Sequence, residues 1–419
     1  MPRCLAAAAI ALLSTAFALG LHAESAPADA FSPETRLLCG ILEMPVDHAV
    51  AGRDIGLRVA LVSVAWSRFE PTPGAVNPAY VEELARQKQA FRKLGYKVMV
   101  DLGVQYAPAW VFTLPQGRYK NQFGDFFETR QSGEDLPNVV FNTQVRDRLA
   151  TYFGEVFTRL GTDWDYVRLG CAKYGELNYP HARFGDRVNC YWAFDDLAQG
   201  KTSGLPAGMR PCPVPGWIPG APSPQHVSAR LFIEWYLDCL KNYQEWQIAT
   251  TRRYYSGDIC MLYGSWGIRP GRLQAAIDAD LSGITPDERN GEIQQGYDWA
   301  RMIGAITDPR VIVYCTWMDG TLQNRDLSDD NSTDPARWSP VRWQASLARA
   351  NPLHPRVWGE NTGGNNREAM RLTFERIKRL DLMGVMWAFD RELFAKPNSK
   401  GYATFKDYAD FIQAADKPQ

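Results

Sequence analysis

Residues 57–104 read LRVALVSVAWSRFEPTPGAVNPAYVEELARQKQAFRKLGYKVMVDLGV. Two apolar runs flank one helix-forming stretch. LRVALVSVAW (57–66) is rich in Val and Leu, the composition of a strand covered on both faces. PAYVEELARQKQAFRKLG (78–95) carries apolar residues at helical spacing, and Gly95 is placed to end that helix. YKVMVDLGV (96–104) is a second buried strand. Strand, helix, strand in this order predicts a parallel pair joined by a crossover helix.

The same alternation extends in both directions. RLLCGILEMP (36–45) supplies an earlier strand, and WDYVRLGCA (164–172), DICMLYGSW (258–266), RVIVYCTW (310–317), PRVWGEN (355–361) and LMGVMWAF (382–389) supply five later ones. Amphipathic helical stretches fall at 145–161, 228–250, 366–381 and 404–416. Eight strands with helices between most of them predict an α/β fold closed as a (β/α)8 TIM barrel, in a single catalytic domain over 30–419. An open doubly wound sheet is the rival, but it expects a G-x-G-x-x-G loop after its first strand, and the chain has none. The stretch 46–56 is too short for a full helix with its loops, so the first β/α unit is either degenerate or misassigned. Long non-periodic segments at 181–225 and 318–340 follow strands four and six. In a barrel they fall on the catalytic face, where such loops are usually functional.

The chain begins MPRCLAAAAIALLSTAFALGLHAES. One early Arg, a long apolar run and small or polar residues after Ala23 predict a signal peptide over 1–23, hence a secreted or periplasmic protein with no stable membrane association after cleavage; a transmembrane anchor is the rival, and the absence of a basic flank after the run favours cleavage. A net charge of −1 gives no ground for a nucleic-acid partner. No C-x-x-C pair and no His/Asp/Glu cluster has metal spacing, so neither metal nor cofactor is expected. The acidic run RDLSDDNSTD (325–334) matches no EF-hand and reads as a solvated loop. Cys190 and Cys212 flank a Gly/Pro-rich stretch, and export would permit a disulfide between them; their spacing leaves this open.

Active-site residues of a barrel come from the C-terminal ends of its strands. There the chain places Trp66, Arg68 and Glu70; Asp101, Tyr106 and Trp110; Tyr174, Glu176, Asn178 and His181; Trp266; Trp317 and Asp319; Trp358, Glu360 and Asn361; Trp387 and Asp390. Fourteen Trp and eighteen Tyr is a heavy aromatic load, and its concentration at strand ends suits stacking on sugar rings. Glu176 and Glu360 stand at Gly-flanked ends of strands four and seven. A single Glu at a strand end is more often a structural ion pair; two across one barrel mouth match the carboxyl pair that glycosidic cleavage requires. Tyr174 and Trp358 are the local candidates for an apolar wall that raises one of the two pKa values. Glu70 sits in an EPTPG turn and has the stronger structural reading.

The run WSRFEPTPG (66–74) followed by a helix and LGYKVMVDLGVQYAPAW (94–110) resembles strands two and three of the retaining β-galactosidase-like barrels of glycoside hydrolase clan A. That resemblance implies Glu176 as acid/base and Glu360 as nucleophile. GVMWAFD (384–390) resembles the superfamily's strand eight, which implies Trp387 in a sugar subsite. Those enzymes usually carry Asn before the strand-four Glu, where this chain has Gly175. GELNYP (175–180) instead is similar to the strand-four motif of the inverting β-amylases, whose Gly-rich loop near strand three is missing here; that absence points away from starch.

The sequence therefore predicts hydrolysis of an oligo- or polysaccharide, with Glu360 as nucleophile or as general base. Trp66, Tyr106, Trp110, Tyr174, Trp266, Trp317, Trp358 and Trp387 are expected at the substrate, with Arg68, Asp101, Asn178, Asp319 and Asn361 binding hydroxyls. A non-catalytic carbohydrate-binding protein on the same barrel is the alternative. A polysaccharide lyase is disfavoured by the few histidines and the lack of clustered basic residues.

Overall fold

The computed structural model describes residues 37–128, 135–170, 173–320, 328–362, 364–394 and 402–416. The signal-peptide reading over 1–23 lies outside them. Among the described residues no helix is long and apolar enough to cross a membrane.

Eight strands form one parallel sheet: β1 (Gly40–Ile41), β2 (Val59–Ser63), β3 (Lys97–Asp101), β4 (Tyr166–Leu169), β5 (Asp258–Tyr263), β6 (Val311–Cys315), β7 (Val357–Gly359) and β8 (Met386–Trp387). From β1 to β7 each strand pairs with its sequence neighbour, and β8 pairs with β1. The seam between β7 and β8 is closed by a parallel bridge from Glu360 to Met386 and by a hydrogen bond from the Met383 N–H to the Val357 carbonyl at 3.0 Å. The result is the expected (β/α)8 barrel.

Helices pack around the sheet. Among them are α1 (Pro78–Lys93), α2 (Thr143–Leu160), α3 (Val227–Arg252), α4 (Trp299–Gly304), α5 (Pro340–Ala350), α6 (Arg367–Leu380) and α7 (Phe405–Asp416). Asn77, Asn142, Ser339 and Asn366 cap the first turns of α1, α2, α5 and α6 by accepting from their backbone N–H groups. The first β/α unit is degenerate: a 3-10 turn, Val46–His48, and the six-residue helix Ala49–Asp54 are all that stand between β1 and β2. The segment between β5 and β6 departs most from expectation. It holds three short helices before α4, a block in which sequence periodicity marked no helix.

Strand alternation divides the apolar residues into two sets. Val59, Leu61, Met99, Tyr166, Cys260, Leu262, Ile312, Tyr314, Trp358 and Met386 fill the barrel interior. Their neighbours in the strands, such as Val100, Val167, Met261, Val313 and Trp387, belong to the larger core under the helices. Gly40 is glycine for a steric reason. A Cβ there would lie 2.4 Å from the Val59 carbonyl oxygen and 2.5 Å from the Met386 sulfur.

Cys190 and Cys212 stand as separate buried thiols, so the disulfide left open by the sequence is absent. Cys190 Sγ instead accepts from the Asn121 amide at 3.7 Å. In the described part of the acidic run, Asp330 departs from the solvated loop expected: it is taken up by Arg376 of α6 and by Ser339.

Candidate active site

Inward positions continue past the strand ends, and the last inward residues carry the polar groups. On β6 they are Tyr314 and Thr316. The Tyr314 hydroxyl donates to Glu360 Oε2 at 3.0 Å, and the Thr316 hydroxyl donates to Glu176 Oε1 at 2.6 Å. Residues two apart on a strand share a face and lie roughly 6–7 Å apart along it. Both carboxyls therefore hang over the same barrel mouth, each tied to a neighbouring rung of one strand. Each glutamate is 8 % exposed, so both are nearly covered without being sealed.

The backbone fixes Glu360 on both sides. Its N–H donates to the Cys315 carbonyl at 2.8 Å, its carbonyl accepts from Met318 at 3.0 Å, and it forms the bridge to β8. Gly359, just before it, has no room for a side chain: a Cβ would sit 2.0 Å from the Cys315 carbonyl oxygen. Glu176 is reached by a tighter route. Tyr174 and Gly175 both have left-handed backbones, at φ 66° and 80°. Gly170 faces the Gly175 carbonyl so closely that a Cβ would lie 1.6 Å from it. The next residue, Leu177, is stitched to β5 through the Leu262 carbonyl at 2.9 Å. Gly264, at the inward position after β5, leaves the space that the Glu176 carboxyl fills. A Cβ there would be 2.2 Å from its carboxyl carbon.

The electrostatic surroundings of the two acids differ. Glu360 receives Arg168 Nη2 at 3.1 Å in addition to Tyr314. Arg168 is an inward residue of β4, 4 % exposed, with Asp101 at 3.8 Å on its other side and the Tyr314 ring 5.1 Å away. Burial works against its charge, but Glu360, Tyr314 and Asp101 outweigh that and hold it firmly cationic. Burial pushes Glu360 up from the usual carboxylate range, while Arg168 and Tyr314 pull it back. Glu176 has only neutral donors, Thr316 and, at 3.5 Å, the Tyr297 hydroxyl. Burial raises it to about 7, Thr316 opposes the rise, and the charge of Glu360 adds to it. The cation thus favours a negative Glu360, and the apolar enclosure favours a protonated Glu176.

Other expected site residues fall in several places. Asp101 lies at the mouth beside Arg168, with Gly103 donating to its Oδ1 at 2.9 Å. Asn178 donates to the Tyr297 hydroxyl at 2.5 Å. Trp266 is buried under the guanidinium of Arg269. Trp317, Tyr106 and Trp110 are half-buried beyond strands six and three; Trp110 donates to the Glu70 carbonyl at 3.1 Å. Tyr174 is 60 % exposed, so it forms no apolar wall behind Glu176. Asp319 accepts from the Thr362 N–H at 2.7 Å and hydroxyl at 3.0 Å, tying the loop after β6 to that after β7. Asn361 clamps the backbone of Ala388 through both its amide groups.

Four expectations are corrected. Trp387 points away from the mouth: it is fully buried under α7 beside Tyr408 and donates to Asn365 at 3.2 Å, because Met386 takes the inward position. Trp66 stacks on Tyr152 of α2 and donates to Glu70 at 2.9 Å, so Glu70 is the structural residue it was expected to be. Arg68 lies outside, paired with Glu83 of α1 at 2.9 Å. Trp358 is inward but lies one layer below, packed on Tyr166 and Tyr314 and donating to the Leu38 carbonyl; it is floor, with no exposed face for a sugar. Arg168, Tyr314, Thr316, Tyr297 and Gly264 went unmarked by sequence motifs. Only Arg168 and Tyr314 left a signal, as polar groups at inward positions of apolar strands.

No protein-family model matches the chain, and no curated protein matches it. Solved structures do. The catalytic domain of a β-amylase from Paenibacillus polymyxa superposes with a TM-score of 0.64 at 14% identity, covering 92% of this chain and 99% of that one. A β-galactosidase from the psychrophilic Marinomonas ef1 gives 0.57 at 13% identity, covering 90% of this chain and 59% of that one. One from the Antarctic haloarchaeon Halorubrum lacusprofundi gives 0.54 at 14% identity, covering 90% and 57%. Both kinds of barrel that the sequence resembles are thus among its structural neighbours. At these identities the likeness establishes the fold alone, a (β/α)8 barrel.

Proposed function

We propose that the protein is an exported glycoside hydrolase acting on an oligo- or polysaccharide through Glu176 and Glu360. The observation that carries this is the asymmetric pair: two inward carboxyls held by the Tyr314 and Thr316 hydroxyls, one beside a buried cation and the other with neutral donors only. Glu176 holds a proton near neutral pH and delivers it to the glycosidic oxygen as the bond breaks. Glu360, kept anionic by Arg168, attacks the anomeric carbon or takes a proton from the attacking water. The fold relationship to a β-amylase and to β-galactosidases supports a glycan as substrate. The apolar first 23 residues support export to the periplasm or medium.

The test is cleavage of a panel of oligosaccharides and aryl glycosides. Glu360→Gln should abolish turnover on every substrate that wild type cleaves. Glu176→Gln should lose about 10²–10⁴-fold on alkyl or sugar leaving groups and far less on dinitrophenyl glycosides, which leave without protonation. Proton NMR of the first-formed anomer assigns Glu360 as nucleophile or base. Sugar binding by a wild type that cleaves nothing in the panel would sink the hydrolase reading in favour of a binding protein.

A further inference from the structure

A third buried carboxyl lies on the Glu176 side. Glu292 stands at the start of a four-residue helix between β5 and β6 and is fully buried. It accepts from the Ser265 hydroxyl at 2.6 Å and from the Gly267 N–H at 2.7 Å. These belong to the turn just after Gly264, the residue over which the Glu176 carboxyl sits. Ser265 holds that turn at φ 64°, a strained backbone for a non-glycine residue. The segment returns to the acid at its other end. The Tyr297 N–H donates to the Glu292 carbonyl at 3.0 Å, its carbonyl accepts from Ile268 at 2.9 Å, and its hydroxyl reaches Glu176.

We propose that Glu292 is a positioning residue for Glu176: through the 265–267 turn and Tyr297 it fixes both where the acid's carboxyl sits and the charge it faces. This rests on the reading of Glu176 as the acid. The two carboxyls repel through a covered interior, where charge is poorly screened. Burial raises Glu292 to about 7, with Ser265 opposing. Its repulsion adds to the burial that raises Glu176. The other groups facing Glu292 are Asp287, which raises it further, Tyr297, and Arg269. Arg269 spends its Nη donors on the Pro335 and Trp338 carbonyls. Glu176 in turn faces Glu360, Thr316 and Tyr297.

The experiment is a carboxyl ¹³C NMR titration of the full chain labelled at glutamate, with Glu176→Gln assigning the Glu176 signal. Glu292→Gln should lower the Glu176 midpoint by about half a unit to one unit. Ser265→Gly suits the left-handed backbone and removes only one donor to Glu292, which keeps its carboxyl; it should lower the midpoint by clearly less than Glu292→Gln does. Tyr297→Phe removes a donor to the anion and should raise it. A merely structural clamp would admit water in all three variants and lower all three alike. An unmoved midpoint in Glu292→Gln, or an equal fall in Ser265→Gly, overturns the proposal. The readout does not depend on turnover. Absence of glycan cleavage with the expected shifts would remove the hydrolase reading alone, and cleavage without them would remove this one alone.

Discussion

The two sides of the barrel mouth are built differently. The Glu360 side is made from strands: Arg168 on β4, Asp101 on β3 and Tyr314 on β6 all project inward from paired backbone. The Glu176 side is made from excursions: a left-handed turn after β4, the 265–267 turn, and the Glu292–Tyr297 segment. Strand positions are fixed by the whole ladder and suit a charge whose partner must not move. Excursions carry no ladder, so their precision comes from side-chain hydrogen bonds. The difference teaches that Glu360 is secured by the fold itself, whereas Glu176 is secured by a local network added to it.

The strongest way to break this contrast is to remove the cation. Arg168→Met leaves Glu360 buried beside Asp101 without its counter-charge. Losing one partner of a buried pair typically costs about 3–5 kcal/mol. Urea unfolding at pH 8 should show a loss of that order. The acid limb of any activity should also move to higher pH, because Arg168 is what lowers Glu360. Unchanged stability and an unmoved limb would mean that Arg168 does not hold the anion.

The second way uses the proton on Glu176. Its affinity is raised from an ordinary 4.5 to about 7 on folding, mainly by burial. Below pH 4.5 both folded and unfolded chains carry the proton, and the group contributes nothing to the balance. As pH rises through 7 the unfolded chain releases it first, so stability falls across that window and levels off above it. The full penalty is about 3 kcal/mol. Glu176→Gln should therefore match wild type near pH 4.5 and exceed it by about that amount at pH 8, as urea unfolding at the two pH values would show. The alkaline limb of wild-type activity should lie near 7. Equal stability of the two proteins at pH 8 would place an ordinary, ionised carboxylate at Glu176.

The sequence disclosed the strand-built side more fully than the other. The eight strands were legible as apolar runs, and Glu176 and Glu360 as acids at Gly-flanked strand ends. Arg168 and Tyr314 were legible in principle, since YVRL and VIVYC each place a polar group at an inward position. Glu292 and Tyr297 were not. They lie 116 and 121 positions from Glu176 in the chain, in a four-residue helix and the short connection after it, with no sustained period, and only the folded chain brings them to it. The tryptophans failed for another reason. Proximity to a strand end does not by itself give access to the mouth: facing alternates with each residue, and one position of phase exchanges mouth for outer core.

Trp387 is the sharpest instance of that phase rule, and it makes the smallest prediction. Its indole N–H donates to Asn365 on the outer side of the barrel, and its ring lies 6.0 Å from that of Tyr408 on α7. Trp387→Phe keeps an aromatic ring there but leaves the Asn365 oxygen without its donor. The cost should be about 1–2 kcal/mol of stability. Steady-state kinetics on a cleaved glycan should show kcat and KM within about twofold of wild type, since a change of less than 0.5 kcal/mol at the mouth amounts to no more than that. A KM raised tenfold with stability intact would bring the ring into contact with sugar. In that case phase counted from Met386 would not decide which aromatic residues of this barrel meet the substrate.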